Sequence, residues 1–140
     1  MKTKKALSIM VALILVVASL APISAMAINR PFNFEFNSTI GNKYTDNYTK
    51  SDSDQHWYVR VYNNGTNNVS SANILGVKMH HWQSIGYVSN YETITDYVSH
   101  TFNYTTSVPY SNEDYFYMGA KKDSDSTSSA TLIVTGVFCP

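Results

Sequence analysis

The sequence predicts an all-β protein, an antiparallel sandwich of about seven to eight strands, with a jelly roll or closed barrel as the rival arrangement. Three observations lead there. Apolar residues alternate with polar ones at period two in several short runs, the mark of a strand with one buried face. No segment beyond residue 27 sustains a 3.6-residue apolar period. Asn, Ser and Thr make up 39 of the 113 residues after position 27, all 11 tyrosines lie there, and Lys and Glu are scarce. Thr and Tyr favour strands, Asn and Ser favour turns, and few positions favour an exposed helix.

Taken in order, Phe32, Phe34 and Phe36 alternate with Asn33, Glu35 and Asn37, the clearest strand of the chain. Residues 38–55 are the least patterned. Tyr44 and Tyr48 mark a weak edge strand there, ahead of the loop Ser51-Asp52-Ser53-Asp54. Trp57, Val59 and Val61 then alternate with Tyr58, Arg60 and Tyr62. Asn63-Asn64-Gly65 follows, a turn sequence tolerant of the positive φ of tight hairpins. Leu75, Val77 and Met79 alternate with Gly76, Lys78 and His80. Ile85, Tyr87 and Tyr91 share a phase, as do Ile94, Val98 and Phe102, the latter interrupted by Asp96 and His100. Val108-Pro109 is a break. Phe116, Met118 and Ala120 alternate with Tyr115 and Tyr117, residues 121–129 are polar and turn-rich, and Ala130 to Phe138 is a long apolar strand suited to a sheet centre.

Ahead of this domain stands a three-part export signal. Lys2, Lys4 and Lys5 form a basic start, an apolar run from Ala6 to Leu20 follows, and Pro22 breaks it. Ala25-Met26-Ala27 supplies the small-x-small pattern read by signal peptidase. The rival is a membrane anchor, but a spanning helix wants about 20 apolar residues and this run has about 15. The expected product is a secreted chain that begins at Ile28, with residues 1–27 a signal-peptide helix and 28–140 a single β-domain. No stable membrane insertion is expected after processing.

That processed chain carries seven basic residues against ten acids, a net charge of about −3. The balance argues against nucleic acid or anionic lipid as partner, since both need clustered positive charge. Cys139 is the only cysteine, so no internal disulfide can form. The expected state is a monomer with Cys139 at a frayed end, a Cys139-linked dimer being the alternative.

Candidate sites are few. The adjacent pair His80-His81 points to opposite faces of a strand, and neither His56 nor His100 adds ligand spacing, so no metal is expected. The acidic loops at Asp52/Asp54 and Asp123/Asp125 resemble parts of calcium loops but lack the glycine-and-glutamate continuation. No serine, histidine or acid sits in a recognisable nucleophile context, so neither an enzyme nor a cofactor is expected. The five Asn-x-Ser/Thr triplets follow from composition. The strands around Trp57 and Leu75 offer more. If their apolar residues face the core, then Tyr58, Arg60, Tyr62, Lys78, His80 and Trp82 face outward. Paired as a hairpin, they would form one aromatic and basic face, of the kind on which sugars and peptides stack. The expected ligand residues are Tyr58, Arg60, Tyr62 and Trp82.

The export signal, the Phe32-Asn33-Phe34-Glu35-Phe36 opening, the Trp57-Tyr58-Val59 strand and the closing Val134-Thr135-Gly136-Val137 segment together carry a resemblance. The chain resembles a family of small exported proteins of Gram-positive bacteria, catalogued as a domain of unknown function. Members tend to end in an aromatic and acidic tail, where this chain has Val137-Phe138-Cys139-Pro140. The resemblance implies a bacterial, exported β-protein without an assigned catalytic residue, and some such proteins accompany bacteriocin-type loci. The leading expectation is thus a non-enzymatic extracellular binding module for a surface glycan or protein. A bacteriocin-like antagonist of neighbouring cells and a structural or assembly protein of the matrix are the alternatives.

Overall fold

The computed structural model describes residues 28–83, 86–109, 111 and 113–140. The expected signal helix, with Ala25 and Ala27, lies outside the described residues, as does Ile85. Among the described residues no helix is long and apolar enough to cross a membrane. The fold is all-β: β1 (Arg30–Phe36), β2 (Lys43–Tyr44), β3 (Tyr48–Thr49), β4 (His56–Val61), β5 (Leu75–His81), β6 (Glu92–Ile94), β7 (Ser99–Asn103), β8 (Tyr115–Lys122) and β9 (Leu132–Cys139). They form two antiparallel sheets, ordered β1-β9-β4-β7 and β2-β8-β5-β6, with β3 also on β8. Neither sheet closes on itself, which excludes the barrel.

Period-two alternation became burial wherever it was strong. Phe32, Phe34, Phe36, Trp57, Val59, Val61, Leu132, Val134 and Phe138 from the first sheet meet Leu75, Val77, Met79, Ile94, Phe116, Met118 and Ala120 from the second in one core. Tyr48 and Phe138, from opposite sheets, pack edge-on with ring centroids 5.8 Å apart. The Tyr44 and Tyr48 segment is the weak edge strand expected, split into β2 and β3 along one side of β8. Between them Thr45 stands in for the ladder: its N–H donates to Met118 O, and its hydroxyl accepts from Met118 N–H.

The turn at Asn63-Asn64-Gly65 forms, with Gly65 at φ 75° and the Asn64 side chain accepting from the Thr66 and Asn67 N–H groups. It does not make a hairpin of β4 and β5. The chain instead runs on beside β9, where side-chain amides extend the ladder. Asn67 Nδ2 donates to Tyr62 O and Thr135 O, and its Oδ1 accepts from Thr135 N–H. Asn68 repeats the device, donating to Thr131 O and accepting from Ile133 N–H. Only then does the chain cross into the second sheet as β5.

Three segments depart from expectation. Residues 86–91 form no strand; Val88 is buried, while Tyr87 and Tyr91 are exposed. The run from Ile94 to Phe102 is two short strands on different sheets, with Val98 exposed. The polar stretch after Lys121 is less open than its composition implies, since Lys122 is buried and donates to Ser128 O and Ala130 O. A buried lysine is tolerated when its ammonium is hydrogen-bonded.

Cys139 is not at a frayed end. It is 1% exposed, and burial pushes its thiol pKa up. The neighbouring Lys50, also 1% exposed, ties this end of β9 down through Asp52 Oδ1 at 2.7 Å and Pro140 O at 3.2 Å. A thiol so placed reacts slowly. The melting midpoint is therefore expected to be the same with and without reductant, and the protein to run as a monomer. A clear drop in midpoint on reduction would instead reveal a Cys139-linked dimer.

Candidate ligand-binding cleft

The four ligand residues expected from sequence do not share a face. Tyr58, Arg60 and Tyr62 belong to β4 and its exit, and the neighbours of β4 are β7 and β9. Trp82 follows β5 in the other sheet. The outward phase held in both strands, but phase says which way a side chain points and not which sheet carries it.

On the first sheet, Tyr58, Arg60 and Tyr62 line a shallow depression of about 280 Å3 with Asn29, Ser99 and Val137. Arg60 and Tyr62 are exposed there, whereas Tyr58 is tied to its own chain. The Tyr58 hydroxyl donates to Asp54 Oδ2 at 2.6 Å, and His56 Nδ1 lies 2.7 Å from Asp54 Oδ1. Those two bonds hold the Asp54 carboxyl down to about 2. The same carboxylate pushes the Tyr58 phenol up to about 12.

The second sheet carries the richer surface. The outward residues of β5 are Gly76, Lys78 and His80, and those of β8 are Tyr117, Gly119 and Lys121. Lys78 sits opposite Gly119, and Gly76 opposite Lys121. Each lysine therefore faces a position without a side chain, and the vacated space admits rings. Tyr91 lies over Gly76, where any Cβ would overlap it. At Gly119 a Cβ would stand 3.0 Å from His80 Nε2 and 3.1 Å from the Tyr44 ring. Glycine in a strand interior weakens the strand and marks such close approaches.

The rings form a connected array. His80 stacks on Tyr117 with centroids 4.5 Å apart and planes 12° from parallel, and lies 4.1 Å from Tyr87. Tyr44 meets both His80 and Tyr117 edge-on at 5.7 Å. Trp82 extends the array, edge-on to Tyr117 at 6.4 Å. Lys78 Nζ lies 3.5 Å from the centre of the Tyr87 ring, and Lys121 Nζ 4.9 Å from that of Tyr91. The Tyr91 hydroxyl donates to Asp123 Oδ2 at 2.5 Å, which fixes the ring. Together Asn42, Tyr44, Lys78, Tyr87, Tyr91 and Lys121 rim a cleft of about 180 Å3 floored by Gly76 and Gly119.

Burial, with the Lys78 charge second, holds the His80 imidazole down to about 4. A histidine in the unfolded chain takes its proton near pH 6.5. Between those values the unfolded state binds the proton and the folded state does not, so stability falls as pH falls from about 6.5 to about 4. Melting curves across that window should show the loss, and His80→Gln should flatten part of the slope. An unchanged slope in the variant would contradict the assignment.

The remaining sites of the sequence reading have other employment. His81 points inward, stacked on Phe116 and 2.9 Å from Asp114 Oδ1. Ser111 donates to the other oxygen of that carboxylate. Through Asp114 these bonds tie Ser111 to β5. Asp52 accepts from Lys50 and from the Asp54 N–H, while Asp123 accepts from Tyr91 and from the Asp125 N–H. Among the described residues no three His, Cys, Asp or Glu side chains are grouped to hold a metal ion.

Sequence reasoning reached Lys78, His80 and Trp82 and passed over Tyr44, Tyr87, Tyr91, Tyr117 and Lys121. The phase of β8 was legible. The signal that it faces the same side as β5, a glycine opposite each lysine, appears only once the register is known. Comparisons with protein-family models, with curated proteins and with solved structures returned no match.

Proposed function

We propose that this protein is a non-enzymatic extracellular binding module, and that the outer face of the second sheet is its ligand face, taking a surface polymer of saccharide type. The observation that carries the reading is the ring array on a glycine floor, with Tyr44, Tyr87 and Trp82 exposed around it. Aromatic rings with polar edges present a flat apolar face and a hydrogen-bonding rim to the same ligand. At about 180 Å3 the cleft is smaller than the roughly 300–1,000 Å3 of pockets that enclose a whole small molecule. It suits one unit of a chain that continues across the surface. The basic and apolar start of the chain, closing on Ala25-Met26-Ala27, supports export. Intact-mass measurement on culture medium should find a chain beginning at Ile28.

The test is to add the purified protein to Gram-positive cells and follow association and growth. Saturable, harmless association is expected, weakened about tenfold by Tyr87→Ala or Trp82→Ala with little change in melting midpoint. Growth inhibition would favour the bacteriocin-like antagonist, and concentration-dependent fibres the assembly protein. Association unaffected by either substitution would remove the ligand face from the second sheet. The depression rimmed by Tyr58, Arg60 and Tyr62 would then be the surface to examine.

A further inference from the structure

The cleft carries charge as well as rings, and the charged side chains that line it are both lysines. Lys78 and Lys121 come from adjacent antiparallel strands and stand at its rim. No acidic residue lines it. The ion pairs among the described residues are Lys50–Asp52, His56–Asp54, His81–Asp114 and His100–Asp96, so neither rim lysine belongs to one. Each ammonium instead rests on a tyrosine ring, Lys78 on Tyr87 and Lys121 on Tyr91. A cation held over a ring keeps its remaining N–H donors free for a second partner. The nearest acids, buried Asp123 and exposed Asp125, lie outside the lining beyond the Tyr91 hydroxyl, whose phenol is pushed up by burial together with both acids.

This concentration of positive charge runs against the whole chain. After position 27 acids outnumber bases ten to seven. Of the bases, Lys50 and Lys122 are buried and internally bonded, and Arg30 lies over the Tyr48 ring. Two lysines at one cleft in an acidic domain make a local field that favours an anion.

We propose that the ligand of this cleft is an acidic saccharide, a polymer of uronic-acid type whose ring carboxylates meet Lys78 and Lys121. The inference rests on the saccharide-binding reading above and narrows it. A carboxylate attached to a sugar ring accounts for both features at once: the ring meets tyrosine, and the charge meets lysine. A polyol phosphate would supply the charge but no ring for the aromatic walls. The cleft also offers no arginine and no helix N-terminus, two common means of holding phosphate.

Calorimetric titration with oligogalacturonates and alginate oligosaccharides, each against its carboxyl-methyl-ester, tests the idea, because the ester keeps the ring and removes the charge. The acids are expected to bind about tenfold more tightly than their esters, with affinity falling as salt rises. The double variant Lys78→Gln/Lys121→Gln should lose that preference and bind acid and ester alike. Equal binding of acid and ester would overturn the inference and leave the saccharide reading standing. Tighter binding of poly(glycerol phosphate) than of either acid would overturn it as well. No binding of acid or ester would overturn both.

Discussion

Replacing Trp57 by alanine is expected to cost about 3–5 kcal/mol, and replacing Trp82 by alanine less than about 1 kcal/mol. The two indoles occupy opposite extremes: Trp57 is 0% exposed and Trp82 63%. Trp57 sits within β4, opposite Phe102 of β7, with their ring centroids 4.9 Å apart. Its loss opens a cavity between strands that pair on both sides of β4, where the backbone cannot collapse inward without breaking ladders. The Trp57 Nε1 has no hydrogen-bond partner, so the penalty is one of packing, and Trp57→Phe should recover most of it. Paired denaturant melts of the two alanine variants provide the check. A stable Trp57→Ala beside an unfolded Trp82→Ala would invert the facing of both strands.

Asn67→Ala is expected to destabilise by about 3–4 kcal/mol, more than most surface-loop changes. Asn67 looks like a turn residue in the sequence but is buried. Its amide donates at 2.7 Å to Tyr62 O and at 2.8 Å to Thr135 O. Its carbonyl accepts from the Thr135 N–H at 2.9 Å and the Thr135 hydroxyl at 2.8 Å. Alanine would leave several backbone groups beside β9 without partners, and a buried unpaired group costs about 1–3 kcal/mol. Asn67→Asp separates the two halves of the role. It keeps the acceptors but sets a carboxylate against two carbonyl oxygens, so it should be as damaging at neutral pH and partly recover in acid, where a protonated carboxyl can donate. Equal stability of wild type and Asn67→Ala would show that water replaces the amide and that the β9 ladder needs no such extension.

Much of the fold could be read from the chain because one periodicity governs it. Phe32 to Phe36, Trp57 to Val61, Leu75 to Met79 and Phe116 to Ala120 each alternate in sequence and each bury their apolar face, with Gly76 and Gly119 buried on the other. What alternation does not encode is partnership. The turn at Gly65 invited a hairpin of β4 with β5, whereas the observed neighbours β1–β9, β4–β9 and β2–β8 are distant in sequence. Asn67 and Asn68 carried the missing information, but their value as ladder mimics is visible only beside Thr135 and Ile133. The candidate site suffered the same loss. Strand phase places Lys78, His80 and Trp82 outward, but a hairpin of β4 with β5 would join them to Tyr58, Arg60 and Tyr62, which lie on the other sheet. Tyr87 and Tyr91 belong to no strand, so no period could place them. Cys139 looked loose because it stands second from the end, while the residues that bury it, Lys50 among them, are distant in sequence.

The glycine-floored aromatic cleft of the second sheet is the proposed meeting point of this protein with its ligand. The most direct measurement is a 1H–15N correlation titration of the protein with an acidic oligosaccharide. Shifts are expected to concentrate at the Gly76, Lys78, His80, Gly119 and Lys121 amides, with those of Arg60 and Tyr62 unmoved. Shifts clustered at Arg60 and Tyr62 instead, or no shifts at all, would contradict it.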